Sequence, residues 1–401
     1  MLPALASVAT VHPVRTSLYV HVPFCVVKCG YCDFNSYVVE DRAVHQRFLA
    51  ALDAELLRAR APRQPTSVFL GGGTPTYLDP EAFAQMFAIL ARHVDLGACP
   101  EVTVEINPES LTPAKAAIAR AAGVNRASMG VQSFSAARLR FLDRAHDAER
   151  ARAAFGELRA AGFTNVSIDM IFGLPGQTLA EWQTDLEAAL ALGPDHLSCY
   201  NLTFEPGTKL HHQWQQGRVA PNDEETDRAM FLWTRERLAA AGFLAYEISN
   251  FAGRGGVCAH NDHYWLQGDY VGVGPGASSH RAGVRTTNLK PVDAWADAAL
   301  AGLAPSASAE TLTPWQRAGE AVWLGVRRRE GVDLADVGAR LGLPVAAKFA
   351  GQVQRQVACG HLRRDGTRIE LTDSGLLFAD AVGAAFLGGD TGAQGRRSDA
   401  E

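Results

Sequence analysis

Ser17-Leu-Tyr19-Val-His21-Val-Pro-Phe-Cys25-Val-Val-Lys-Cys29-Gly-Tyr31-Cys32 joins a strand-length apolar run to three cysteines. Their spacing is C-x3-C-x2-C, in a loop after a strand. Three thiolates so close together can grip three irons of a cubane and leave the fourth open. Iron–sulfur clusters ordinarily take four cysteines, so three predict a 4Fe–4S cluster with an exchangeable ligand at its remaining iron. The alternative at this spacing is a structural zinc with His21 completing a Cys3His site. Two features weigh against zinc: no second paired-cysteine motif exists elsewhere, and a glycine-rich strand end follows, suited to holding a ligand's polar end. The other four of the seven cysteines, Cys99, Cys199, Cys258 and Cys359, are scattered, unlike a secreted disulfide framework.

Five further strand-length runs follow the first: 67–71, 102–106, 125–131, 166–172 and 196–201, each rich in Val, Ile, Phe or Tyr. Helical patterns separate several of them. Val44, Phe48, Leu52 and Leu56 recur at i+4 spacing. Leu179, Trp182, Leu186 and Leu190 share one face, entered through Thr178 with Glu181 three residues on, a capping box. Six strand–helix repeats predict an α/β chain whose parallel sheet curls into a barrel or partial barrel. The distinctive residues all fall at or just after strand ends: Cys25, Gly71 to Thr76, Glu105 and Asn107, Gln132, and Asp169 to Pro175. A parallel barrel places its active site there.

Gly71-Gly72-Gly73-Thr74-Pro75 is not a phosphate loop, since no Lys-Ser/Thr follows. Beside the cysteines it suits the ammonium of an amino-acid ligand. Glu105, Gln132, Arg144 and Asp169 could each be ordinary rim residues. Together they supply what an aminoacyl-nucleoside needs: a carboxylate for its amine, a cation for its carboxylate and acceptors for its ribose.

The predicted organisation is an N-terminal segment (1–15), a barrel (16–240), a connecting region (241–305), a small α+β winged-helix-like domain (306–387) and a Gly-, Asp- and Arg-rich disordered tail (388–401). In the small domain, helical segments precede a hairpin turning at Asp365–Gly366. A net charge of −5 leaves no whole-chain attraction for nucleic acid. No signal peptide and no run of 18 or more apolar residues is found, which points to the cytoplasm and leaves room only for transient membrane association.

The motifs Tyr19 to Cys32, Gly71–Thr76, Glu105–Pro108, Gln132-Ser133, Asp169-Met-Ile-Phe-Gly173-Leu-Pro175 and Tyr200-Asn-Leu-Thr-Phe-Glu205-Pro-Gly-Thr208 resemble the coproporphyrinogen III dehydrogenase-like branch of radical-SAM proteins. The resemblance covers residues 16–385. It implies a partial TIM-like (β/α)6 barrel with a small C-terminal domain. It also implies S-adenosylmethionine on the open iron, cleaved by an electron from the cluster. An electron donor of the flavodoxin or ferredoxin type would fit. Two groups of that branch differ at identifiable positions. The dehydrogenase has a fourth cysteine two residues after the triad, where Phe34 stands here, and an N-terminal extension for which this chain leaves no room. The heme-chaperone group follows its triad with Asp-Phe-Asn-Ser, as in Asp33–Ser36. It also has a His-Asn-x-x-Tyr-Trp signature, here His260 to Trp265, then Gly272 to Ala277.

The resemblance therefore implies a chaperone that binds heme and delivers it to an acceptor protein. An oxygen-independent coproporphyrinogen III dehydrogenase or a radical methyltransferase is the alternative. Carried over residue by residue, it places Cys25, Cys29 and Cys32 on the cluster. Tyr19, Tyr31, Gly72, Gly73, Thr74, Glu105 and Ala277 fall at the cofactor. Gln132, Arg144 and Asp169 match positions that hold a second S-adenosylmethionine in the dehydrogenase, and the number held here, one or two, stays open. An imidazole can be an axial heme ligand and aromatic faces can pack a porphyrin. His260, beside Tyr264 and Trp265, is the expected heme ligand, with Cys258 and His263 as competitors.

Overall fold

Residues 16–388 are described by the computed structural model, so the predicted N-terminal segment and all but the first residue of the predicted tail lie outside the described residues. Side chains alternate between the two faces of a strand. In β1 (Thr16–Val22), Leu18, Val20 and Val22 are wholly buried on one face. Parallel pairing carries that parity across β2 (Val68–Gly72), β3 (Val102–Ile106), β4 (Arg126–Gln132), β5 (Val166–Phe172) and β6 (His196–Asn201). Leu18 pairs with Val68, Val68 with Val102, Val104 with Ala127, Ala127 with Val166 and Ile168 with Leu197. All of these apolar residues share the face that packs on the surrounding helices.

Those helices follow their strands in turn. They are α1 (Arg42–Ala59), α2 (Pro80–His93), α3 (Pro113–Ala121), the pair α4 (Ala136–Phe141) and α5 (Ala148–Ala160), α6 (Leu179–Leu190), and the pair α7 (Lys209–Gln215) and α8 (Glu224–Ala240). The stripes read from sequence are the buried ones: Phe48, Leu52 and Leu56 in α1, Trp182 and Leu186 in α6. Thr178 and Glu181 form the predicted capping box. All six predicted strands are present to within a residue at each end.

The opposite face is polar. It carries Ser17, Tyr19 and His21 in β1, Glu105 in β3, Arg126 and Ser128 in β4, Ser167 and Asp169 in β5, and His196, Ser198 and Tyr200 in β6. A filled (β/α)8 barrel packs that face with branched aliphatics. This inner face instead lines a lumen rich in polar groups.

The parallel strands stand in sequence order, and among the described residues no pairing closes β6 onto β1. Later segments extend both flanks. Here β7 (Leu244–Ala245) and β8 (Asn250–Ala252) continue beyond β6. On the other side, β9 (Asp269–Val273) pairs parallel with β1, followed by β10 (Ser278–Arg281), β11 (Val284–Asn288) and β12 (Ser306–Thr311). Helices α9 (Ala259–Trp265) and α10 (Val292–Leu300) belong to the same stretch. The large sheet thus runs past residue 305 to Thr311, because the backbone of β11 needs a partner and finds it in β12.

The C-terminal part has its own core of Val322, Val326, Phe349, Ile369 and Phe386. It comprises α11 (Pro314–Val326), β13 (Val332–Asp333), α12 (Leu334–Leu341), α13 (Val345–Lys348), α14 (Ala350–Ala358) and the hairpin β14 (Leu362–Asp365) and β15 (Arg368–Leu371). The predicted hairpin is present, with Asp365 paired to Arg368 and the turn on Gly366–Thr367, one residue beyond the expected Asp365–Gly366. Among the described residues no helix is long and apolar enough to cross a membrane.

Candidate functional site

The cysteine loop leaves β1 and is stitched to the end of β2 by backbone. The Gly73 amide donates to Val22 O at 2.9 Å and the Thr74 amide to Phe24 O at 2.7 Å. The loop returns through Tyr37, whose carbonyl accepts from the Cys25 amide at 3.0 Å. Glycine is required where the two segments touch. A Cβ on Gly73 would lie 2.6 Å from Val22 O and 2.8 Å from the Phe24 amide nitrogen. Gly72 has φ +97° and would drive a Cβ into the His21 ring, 2.1 Å away.

Each thiol faces a donor. Thr74 Oγ1 lies 3.4 Å from Cys25 Sγ. Arg144 Nη1 lies 3.6 Å from Cys29 Sγ, its side chain only 5% exposed. The Phe34 amide faces Cys32. Two further buried polar atoms stand ready. Apart from Cys25 itself, the Ser36 hydroxyl has no hydrogen-bond partner among the described residues, and neither does Arg144 Nε. Burial, with like charge from neighbouring thiols, pushes Cys25 upward and Cys32 up to about 11. Metal coordination replaces such protons outright. This donor set fits a buried, anionic three-thiolate cluster.

It does not fit the zinc alternative. His21 is neutral, because burial lowers its pKa. Its Nε2 donates to the Asn35 carbonyl at 2.8 Å, so Nδ1 accepts from the Tyr19 hydroxyl at 2.9 Å. Neither nitrogen is free to complete a Cys3His site.

Most of the other sequence-predicted residues gather at this open end. Glu105 accepts from the Gly72 amide at 2.9 Å and lies across Gly71. Burial, reinforced by the charge of Asp169, raises its pKa to about 7. Tyr31 sits against Arg144 and the Cys29 and Cys32 thiols. Gln132 ends β4 in the left-handed region, φ +70°, at a break in the β4–β5 register. Ala277 is carried there by the Gly274–Ala277 turn. Asn35, from the cysteine loop, donates to Pro275 O in that turn at 2.9 Å. Asp169 lies deeper in the lumen, taking hydrogen bonds from Ser128 and Ser167, and burial raises its pKa.

The expected heme ligand is placed differently. His260 is 1% exposed and lies at the other end of the barrel, under the first residues of the strands. Its Nδ1 is bonded to Ser67 Oγ at 2.8 Å and its Nε2 to Tyr264 OH at 2.9 Å, and its ring stacks on Phe69. Burial drops its pKa to about 3. Cys258 is fully buried against Glu101, and His263 Nε2 donates to Asp269 O at 2.6 Å. In this conformation none of the three is an open axial ligand, because α9 closes the barrel floor. The physical cause is its paired faces: His260 and Tyr264 seat in the barrel, while Asp262 is bonded at 2.7 Å to Arg328 of the C-terminal domain.

Sequence reasoning noted Asn107 only as a strand-end residue and missed Arg126, buried in the floor facing Glu101 and Asp169. The period-two parity shared with Glu105 and Ser128 was the signal available for both.

Two family models match the chain: the Radical SAM superfamily over residues 19–189 and the HemN C-terminal domain over 312–378. The heme chaperone HemW of Mycobacterium tuberculosis is 39% identical over 376 residues, covering 92% of this chain and 94% of that protein. The heme chaperone HemW of Bacillus subtilis is 34% identical, covering 93% and 99%. In fold the chain is similar to coproporphyrinogen III oxidase (HemN) from Escherichia coli, with TM-score 0.81 at 24% identity over 94% of this chain and 92% of that one. Identity that runs through both the barrel and the C-terminal domain of full-length relatives makes this chain a member of the heme chaperone HemW family within the radical-SAM proteins.

Proposed function

We propose that the chain is a heme chaperone that carries a SAM-coordinated 4Fe–4S cluster and hands heme to an acceptor protein. The observation that carries this reading is the end-to-end similarity to HemW chaperones, at 39% and 34% identity. A bound cluster supplies one-electron chemistry to S-adenosylmethionine. Of this chain's own groups, Glu105 and the Gly72–Gly73 backbone hold the methionine end. Tyr19, Tyr31, Thr74 and Ala277 border it, and Gln132, Arg144 and Asp169 extend the polar wall into the lumen. Phe34 supports the chaperone over the dehydrogenase: it is 59% exposed where the resemblance puts a fourth cysteine in that enzyme. Heme is taken by His260 after α9 lifts from the floor. An electron donor of the flavodoxin or ferredoxin type reaches the cluster from the open end, and the protein works in the cytoplasm.

The test uses the full chain, reconstituted anaerobically. The unaltered protein should bind heme and leave coproporphyrinogen III unconverted. Cys29→Ser should lose its iron and brown absorption yet still bind heme, because α9 sits at the opposite end of the barrel. Robust turnover of coproporphyrinogen III with no heme binding would overturn the reading.

A further inference from the structure

The hydrogen bonds around the thiols form one connected chain with a forced direction. Arginine has no acceptor, so Arg144 Nη2, 2.8 Å from Asn107, must donate to its carbonyl Oδ1. The same Nη2 donates to Gly130 O at 2.7 Å, so Asn107 and Gly130 together set how the guanidinium is turned. With its oxygen turned to Arg144, Asn107 presents Nδ2 to Thr74 and donates to Oγ1 at 2.7 Å. The Thr74 hydroxyl is thereby an acceptor from Asn107, and its own proton is left for Cys25 Sγ at 3.4 Å. At the other end, Arg144 Nη1 donates to Cys29 Sγ. A single amide, one residue past the end of β3, thus orients the donors of two thiolates carried by the loop after β1.

We propose that Asn107, through Thr74 and Arg144, is a positioning residue that sets the reduction potential of the cluster held by Cys25 and Cys29. Hydrogen bonds to cluster sulfurs withdraw electron density from the iron–thiolate bonds and favour the reduced, more negative state. Asn107 itself touches no thiol; it acts by keeping both donors aimed. The inference rests on the cluster reading and is independent of heme delivery.

The test is a redox titration of the reconstituted full-length protein, followed by the electron paramagnetic resonance of the reduced cluster, with iron content measured on the same samples. Asn107→Leu removes the junction and should shift the midpoint to more negative potential at unchanged iron content. Thr74→Val, near-isosteric but without a hydroxyl, should shift it the same way by less, since only the Cys25 donor is lost. Thr74→Ser keeps the hydroxyl and should restore the original midpoint. Equal midpoints in all four proteins overturn the proposal. So does loss of iron in both Asn107→Leu and Thr74→Val, which would make these groups holders of the cluster and not tuners of it. If the unaltered chain assembles no cluster, the cluster reading fails instead.

Discussion

Removing the Tyr264 hydroxyl frees Nε2 of His260 without disturbing the imidazole's seat on Phe69. If His260 is the heme ligand once α9 lifts, Tyr264→Phe has one hydrogen bond fewer to break. That bond is worth about 1 kcal/mol, so heme affinity should rise roughly fivefold. His260→Ala should lower the affinity and shift the Soret band while leaving the cluster spectrum unchanged. Heme titration of both variants checks this, and an unchanged affinity in His260→Ala would remove the imidazole from the site. The same substitution strands Ser67 and Tyr264 in the floor and opens a cavity, costing roughly 2–4 kcal/mol of folding stability. Stability and ligation are therefore measured together at this position.

The meeting of β2 with the cysteine loop makes one glycine do the work of an element. Gly73→Val places a branched side chain against the backbone of Val22 and Phe24, directly before Cys25. Iron content should fall together with S-adenosylmethionine binding, read by metal analysis and equilibrium dialysis. A variant that keeps its full iron and loses only S-adenosylmethionine would show that the loop gives way. A second junction lies behind the sheet, where Glu55 of α1 accepts from the Gly274 amide at 2.8 Å, Asn288 Nδ2 at 2.7 Å and Trp295 Nε1 at 2.9 Å. One buried carboxylate thereby fastens the turn after β9, the end of β11 and α10 to the first helix of the barrel. Glu55→Ala leaves the Gly274 amide and Trp295 Nε1 unpaired and Asn288 Nδ2 with Gly274 O alone, and should cost about 3 kcal/mol or more in urea unfolding.

The whole barrel titrates through its polar interior, with two opposed contributions. His196, bonded to Ser167 and Tyr246, and His260 are both held neutral by burial, so their folded pKa values lie below the unfolded one. The unfolded chain takes up protons there first, so for His260 stability is lost as pH falls from about 6.5 toward 3, at about 1.4 kcal/mol per pH unit, and His196 contributes with the same sign. Glu105 has the opposite sign. Its folded pKa is raised to about 7, so its contribution is present below about 4.5 and is lost as pH rises through 7. Glu105→Gln removes that opposing slope. Acidified from pH 7 to 4.5, it should lose about 1.4 kcal/mol more per pH unit than the unaltered chain, as urea unfolding across the range would read. Parallel slopes in the two proteins would show that Glu105 titrates near its ordinary value.

The six-strand order, the helix stripes of α1 and α6, the hairpin of β14 and β15 and the cysteine loop were all legible in sequence, because each depends on neighbours within one element or one turn. A period-two run, an i+4 stripe or a C-x3-C-x2-C spacing is local chemistry. The join of β12 to the barrel sheet was not legible, since a short polar strand finds its partner only after the chain has folded back. Nor was the burial of His260. An imidazole beside Tyr264 and Trp265 reads the same in sequence on a surface or in a floor, and only the seating of α9 between barrel and C-terminal domain decided which. Asn107 shows the same limit at closest range. Its place after β3 could be read directly, whereas its grip on Thr74 and Arg144 exists only because parallel pairing sets the ends of β2 and β3 side by side and the loop after α4 folds back onto β4.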